Sequence, residues 1–178
     1  HGMADVVFAR NVIPHVKNIH DVIEGMASII NEEGTAIIEF HYSQKILTGL
    51  HYDSIYHEHL FYFSIKSLFI LLEKYGLFGF DVEESPISGG SLILFCSKNR
   101  DRSISKKLQQ YIQREQELGT NSEKSWNTFA IKAQEHKEKL LALVNAEKQK
   151  GSIIIGYGAS ARSSTMLNFC QINGDHLD

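Results

Sequence analysis

The chain has 178 residues, 43% hydrophobic and 22% charged, the balance of a globular protein that can bury a core of one domain or one and a half. Its formal net charge of -3, with no run of Lys and Arg, argues against nucleic acid as the main partner. No apolar stretch approaches the roughly 18 residues of a membrane span, and no basic start leads into an apolar signal, so a cytoplasmic protein without a membrane partner is expected.

The opening His1-Gly2-Met3 reads as a tag remnant, and the fold begins at once with a strand. Asp5 to Ala9 is short, apolar and β-branched, as a buried parallel strand should be. Ile19, Val22, Ile23, Met26, Ile29 and Ile30 then fall on one face of a helix. Asn31-Glu32-Glu33-Gly34 should close that helix, and Thr35 to Phe40 reads as the next strand. Residues 41–63 are rich in His, Tyr and Phe with weak periodicity, which predicts a long ordered loop. Ser64 can cap a helix with the stripe Ile65, Leu68, Phe69 and Leu72, ended by Gly76. Two strands follow, Leu77 to Val82 and Ser91 to Ser97. Too few residues separate them for a crossover helix, so they must be antiparallel.

Beyond them, Ile104, Leu108, Tyr111, Ile112 and Leu118 mark an amphipathic helix ending at Gly119. A longer one runs from about Lys124 to Lys150, with Trp126, Phe129, Ala130, Ala133, Leu140, Leu143 and Val144 on its apolar side. Ser152 to Ile155 then reads as a buried strand entering a glycine turn and a last helix. The two cysteines, Cys96 and Cys170, are far apart in apolar surroundings. They predict buried thiols of a reducing compartment and are too few for a cysteine zinc site.

The fold class that results is α/β. Its order matches the second half of a class I methyltransferase sheet, Rossmann-like with an antiparallel last strand, followed by helices and the start of a second Rossmann-like unit. The expected divisions are 1–98 for the partial sheet domain, 99–150 for a helical connector and 151–178 for the second unit.

Three places could carry chemistry. Tyr56-His57-Glu58-His59 is the densest cluster. In an extended segment Tyr56 and Glu58 share one side, and His57 and His59 the other, unless a turn re-aims them. Histidine moves protons at neutral pH, a carboxylate can orient it, and a phenol can donate to an oxyanion. The cluster could take a proton from a carbon beside a carbonyl. It could equally be a hydrogen-bonded structural loop, or offer a metal its His-x-His spacing with His41 and His51 nearby. Arg10, Asn11 and His15 follow the first strand, where ligands of open α/β sheets bind. Gly156-x-Gly158-x-x-Ala161 lies between predicted strand and helix, as a phosphate-binding turn would, with Asp175 or Asp178 placed for a ribose. A close turn without ligand has the same pattern.

The order of "NVIPHV", "IYHEHLFYFS", the Gly89-Gly90-Ser91 before the last strand and "GYGASA" resembles that of the NDP-sugar C-methyltransferases, over nearly the whole chain. The resemblance implies an S-adenosylmethionine-dependent enzyme that methylates carbon three of a thymidine-diphosphate 4-keto-6-deoxy sugar. It implies His59 as the base, Tyr56 and Glu58 as its flanking residues, and His15 as a further active-site histidine. Arg10 and Asn11 would border the cofactor. Gly89, Gly90 and Ser91, with Gly156 and Gly158, would contact the nucleotide sugar. No metal is expected. Two departures stand out: Ser88 occupies a position usually histidine, and the family's opening cysteine-rich zinc module and cofactor glycine loop are not among these residues. The chain alone is therefore expected to bind S-adenosylmethionine poorly or not at all, and to self-associate through its first strand's open edge. The alternatives are a nucleotide-binding oxidoreductase or epimerase built on Gly156 to Ala161, a non-catalytic binding or assembly domain, and a metal-dependent hydrolase.

Overall fold

The β-branched run after Met3 forms strand β1 (Ala4–Arg10), and the amphipathic segment that follows forms helix α1 (Ile19–Ile29), burying Ile19, Ile23 and Met26. This computed structural model describes residues 2–86 and 89–178. Ile87 and Ser88 lie outside the described residues, and with them the serine noted above. Strand β2 (Ile30–His41) starts directly at the end of α1. The helix stop expected at Asn31-Glu32-Glu33-Gly34 is thus the first part of a strand. Ile30 is fully buried and pairs with Ala4, so burial of one isoleucine extends the strand through a polar stretch.

Strands β1 and β2 run parallel, from Val6 opposite Thr35 to Arg10 opposite Glu39. Strands β3 (Phe78–Ser85) and β4 (Ser91–Ser97) form the expected antiparallel pair. β4 inserts between β2 and β3, giving the order β1-β2-β4-β3, and it alone runs against the other three. Alternate residues Ala36, Ile38 and Phe40 of β2 and Leu92, Leu94 and Cys96 of β4 are completely buried on one face. They share a core with Ile23, Met26, Leu68 and Leu72.

The segment 41–63 is more regular than a loop. It holds helix α2 (Ser43–Gly49) and a 3-10 turn at Tyr52–Ser54. Helix α3 (Ile65–Glu73) begins and ends as its punctuation predicts. The Ser64 hydroxyl accepts from Ser67 N, the Ser67 hydroxyl accepts from Ser64 N, and Gly76 takes a φ of 69° just beyond the end. Helix α4 (Lys106–Glu117) is capped by Ser105 and packs on β3 and α3.

Two compact units divide the chain. The first comprises His1–Lys45 and Glu58–Ser122, the second Ile46–His57 and Glu123–Asp178. Helix α4 therefore goes with the sheet. Helices α5 (Glu123–Gln149) and α6 (Ala161–Cys170) form the second unit with the 3-10 turn. Phe129 and Ala133 are buried on α5 while Leu143 is exposed.

The buried strand expected at Ser152 to Ile155 does not form. Ile153 and Ile155 are 78% and 76% exposed, and no sheet among the described residues accepts the segment. It is extended but fastened end to end, Ile154 N donating to Asp178 Oδ2 and Asp178 N to Ile154 O, both at 2.8 Å.

Candidate active site

The site in the first unit is built from the chain just past β1. Asn11 turns it with a left-handed φ of 51°, which asparagine tolerates, and its N donates to Glu39 O at 3.3 Å. The turn through Ile13 and Pro14, both buried, carries His15. Pro14 O accepts from Leu60 N at 2.7 Å, and His15 Nδ1 lies 2.9 Å from Glu58 O. A carbonyl only accepts, so Nδ1 bears the hydrogen, and a neutral His15 ring keeps Nε2 as an acceptor. Two sequence-distant segments, 12–15 and 58–61, are thus stapled together.

That staple presents His59. It is 7% exposed, with the His15 ring 4.7 Å away, His41 at 5.8 Å and Tyr62 at 6.0 Å, centroid to centroid. A turn at His57-Glu58 re-aims the segment. His57 is exposed and His59 buried, so the two histidines do not share a side as an extended chain would have it. Glu58 is exposed, and its main-chain carbonyl is the acceptor for His15 Nδ1. Tyr56 is half-buried and falls in the second unit.

The strand pairing brings further residues to the same sheet edge. His41, the last residue of β2, sits opposite Ser91 of β4. Tyr42 N donates to Gly90 O at 3.5 Å. Gly90 has a φ of 123°, and a Cβ there would come within 3.0 Å of Lys45 Cγ, so the loop approaches α2 as only glycine allows. Gly89, Gly90 and Ser91 therefore lie beside His41 and Tyr42. Gly156 and Gly158 belong to the second unit. They stand in an exposed loop ahead of α6, which Ser160 caps by accepting from Ser163 N. Asp178, one candidate for a ribose, holds Lys148 Nζ at 2.8 Å, and that bond keeps its carboxyl below the ordinary range. Asp175 is exposed in the turn after α6.

Three features were not singled out from sequence. His41, which the sequence offers for its metal spacing, stands at the carboxyl end of β2, a position that itself marks it for a site. Glu39 is 2% exposed, with Arg10 Nε 2.7 Å from Oε2 and the Ser85 hydroxyl 2.7 Å from Oε1. In the second unit, Tyr52, Ile55, Phe129, Ala133, Thr165 and Phe169 line most of a cleft of about 330 Å³. The Tyr52 hydroxyl there meets His136 Nδ1 at 2.9 Å and Cys170 Sγ at 3.4 Å. Among the described residues no group of three or more His, Cys, Asp or Glu side chains is arranged to hold a metal ion. Nor is any helix there long and apolar enough to cross a membrane.

The profile of a family described as the C-methyltransferase C-terminal domain matches residues 86–178, more than half of the chain. The chain belongs to the C-methyltransferase family. A general methyltransferase-domain profile matches residues 1–81, the part that carries β1, β2 and α3, and the mixed sheet is that of a class I methyltransferase. C-methyltransferase NovU of Streptomyces niveus is 29% identical over 99% of this chain, which spans 42% of that protein. Among solved structures, magnesium protoporphyrin IX methyltransferase from Synechocystis PCC 6803 with bound SAH is 16% identical over 54% of this chain and 45% of its own, at a TM-score of 0.40. An O-methyltransferase family protein from Burkholderia thailandensis is 16% identical over 60% and 32%, at 0.37. This C-methyltransferase chain thus spans less than half of its curated relative.

Proposed function

We propose that the chain is the later part of an S-adenosylmethionine-dependent C-methyltransferase acting on a nucleotide-linked 4-keto-6-deoxy sugar. The observation that carries this is His59, buried against two further imidazoles at the edge where the Gly89–Ser91 loop meets β2, within a C-methyltransferase family chain.

His59 accepts the proton from the substrate carbon next to the keto group, through a ring nitrogen, leaving an enolate. His15 fixes the 58–61 segment through Glu58 O and offers Nε2 to the incoming proton path. Tyr56 and Glu58 flank the base in sequence, and a phenol such as that of Tyr56 is a donor suited to an enolate oxygen. Gly89, Gly90 and Ser91 give the sugar a close backbone approach, and Gly156 and Gly158 serve the nucleotide. S-adenosylmethionine, when bound, would supply an electrophilic methyl group for the substrate carbon. Arg10 and Asn11 fit one flank of that cofactor, since both are exposed polar groups at the carboxyl end of β1.

General base catalysis by one side chain contributes roughly 10²–10⁴-fold, so His59→Ala should lose activity on that scale while keeping its fold. Labelled-methyl transfer, with circular dichroism as the folding control, measures this. A variant that keeps the wild-type rate removes His59 from the mechanism.

A further inference from the structure

Arg10 is the end of β1, yet it uses little of its guanidinium on the protein. Its side chain is 57% exposed while that of Glu39 is 3% exposed, and its Nε lies 2.7 Å from Oε2. The second carboxylate oxygen of Glu39 is held from β3 by the Ser85 hydroxyl at 2.7 Å. The Glu39 carbonyl takes the Asn11 N–H, so the same residue pins the backbone turn that follows Arg10.

A carboxylate almost removed from water is expensive, and replacing such pairs by apolar residues is often neutral or stabilising. The strand positions around it could have been apolar, as Ile38 and Phe40 are. What the pair does achieve is orientation. A guanidinium is a planar fork, and an ion pair on its Nε side leaves the opposite edge facing outward. That outer edge makes no hydrogen bond among the described residues, and a guanidinium edge of this kind recognises carboxylate or phosphate oxygens through two parallel bonds.

We propose that Arg10 is an oxyanion-binding residue at the carboxyl end of β1 and that Glu39 is its positioning residue, with Ser85 holding Glu39. The ligand chemistry is an oxygen anion of the substrate or cofactor, either a carboxylate or a phosphate. The proposal deepens the functional reading above and rests on it only for the choice of probes.

The test is a double-mutant cycle on this chain joined to an upstream cofactor-binding half, read by calorimetric affinity for two probes, S-adenosylhomocysteine for the carboxylate and thymidine diphosphate for the phosphate. Arg10→Ala should weaken one of them roughly tenfold or more, the scale of a charge-assisted hydrogen bond, and the probe affected names the source. Glu39→Ala should weaken the same probe, and Arg10→Ala with Glu39→Ala should be no worse than Arg10→Ala alone, because Glu39 acts through the arginine. Glu39→Gln, which keeps the shape and an acceptor for Arg10 Nε, should recover part of the loss. It also keeps the test valid if Glu39→Ala does not fold. Unchanged affinity for both probes in Arg10→Ala overturns the proposal, as does a joined wild-type protein that binds neither. Additive losses in the cycle overturn the positioning role. An intact anion site without methyl transfer would leave the site standing and remove the sugar methyltransferase reading instead.

Discussion

Cys96 is completely buried, and burial pushes its thiol well above the ordinary range, so the reactive thiolate is suppressed. Cys170 is equally buried, its sulfur against the Tyr52 hydroxyl. Neither thiol should react with an aromatic disulfide reagent until the protein unfolds, and fast labelling of the folded chain would contradict that. Glu84 behaves oppositely. The Tyr111 hydroxyl donates to it and holds its carboxyl below the usual value, against the cost of burial and with help from Lys45, Lys107 and Arg114. A lowered folded value means that stability is present above the unfolded pKa of about 4.3 and is lost as pH falls through the folded one. Tyr111→Phe should therefore lower the urea midpoint at pH 7 and approach wild type at acid pH. An equal deficit at both would show that packing, not the charge, is lost. The residues of the site were legible unevenly. His15 and His59 announce themselves by type and place, whereas Glu39 reads as one more polar residue in a strand, and only its burial reveals the pair with Arg10.

At the level of elements, α3 shows how punctuation and tertiary contact combine. Its N-terminus has the reciprocal Ser64–Ser67 cap, and the buried Glu115 of α4 adds an acceptor for Ile65 N at 2.6 Å and Lys66 N at 3.3 Å. Ser64→Ala should cost about 1 kcal/mol and Glu115→Ala about 1–3 kcal/mol, the second leaving buried donors without a partner. Because both act on one helix end, their losses should not add. Urea denaturation of the two variants and the double variant measures this. The cap was readable because serine before and glycine after bracket a clear stripe. Helix α2 was not, since Ser43–Gly49 is less than two turns and its stripe is too short to show a period. Ser152 to Ile155 misled for a different reason. Its composition is that of a strand, but strand formation needs a neighbour, and none of the described residues supplies one.

For the molecule as a whole, β1 is the edge of the sheet, with Val6 59% and Phe8 58% exposed beside Met3 at 53%. An unpaired edge joined to apolar side chains is a template for association. Sedimentation equilibrium should therefore show a concentration-dependent dimer that Phe8→Lys converts to monomer; a wild-type monomer at high concentration would contradict it.

We propose that His59 removes a carbon-bound proton in methyl transfer to a keto sugar. It is tested most directly by following labelled methyl from S-adenosylmethionine to a thymidine-diphosphate 4-keto-6-deoxy sugar, with this chain joined to an upstream cofactor-binding half. The account predicts incorporation into the sugar by wild type and its loss, by roughly 10²–10⁴-fold, in a folded, cofactor-binding His59→Ala. Equal incorporation by that variant, or none by a folded wild type that binds the cofactor, would contradict it.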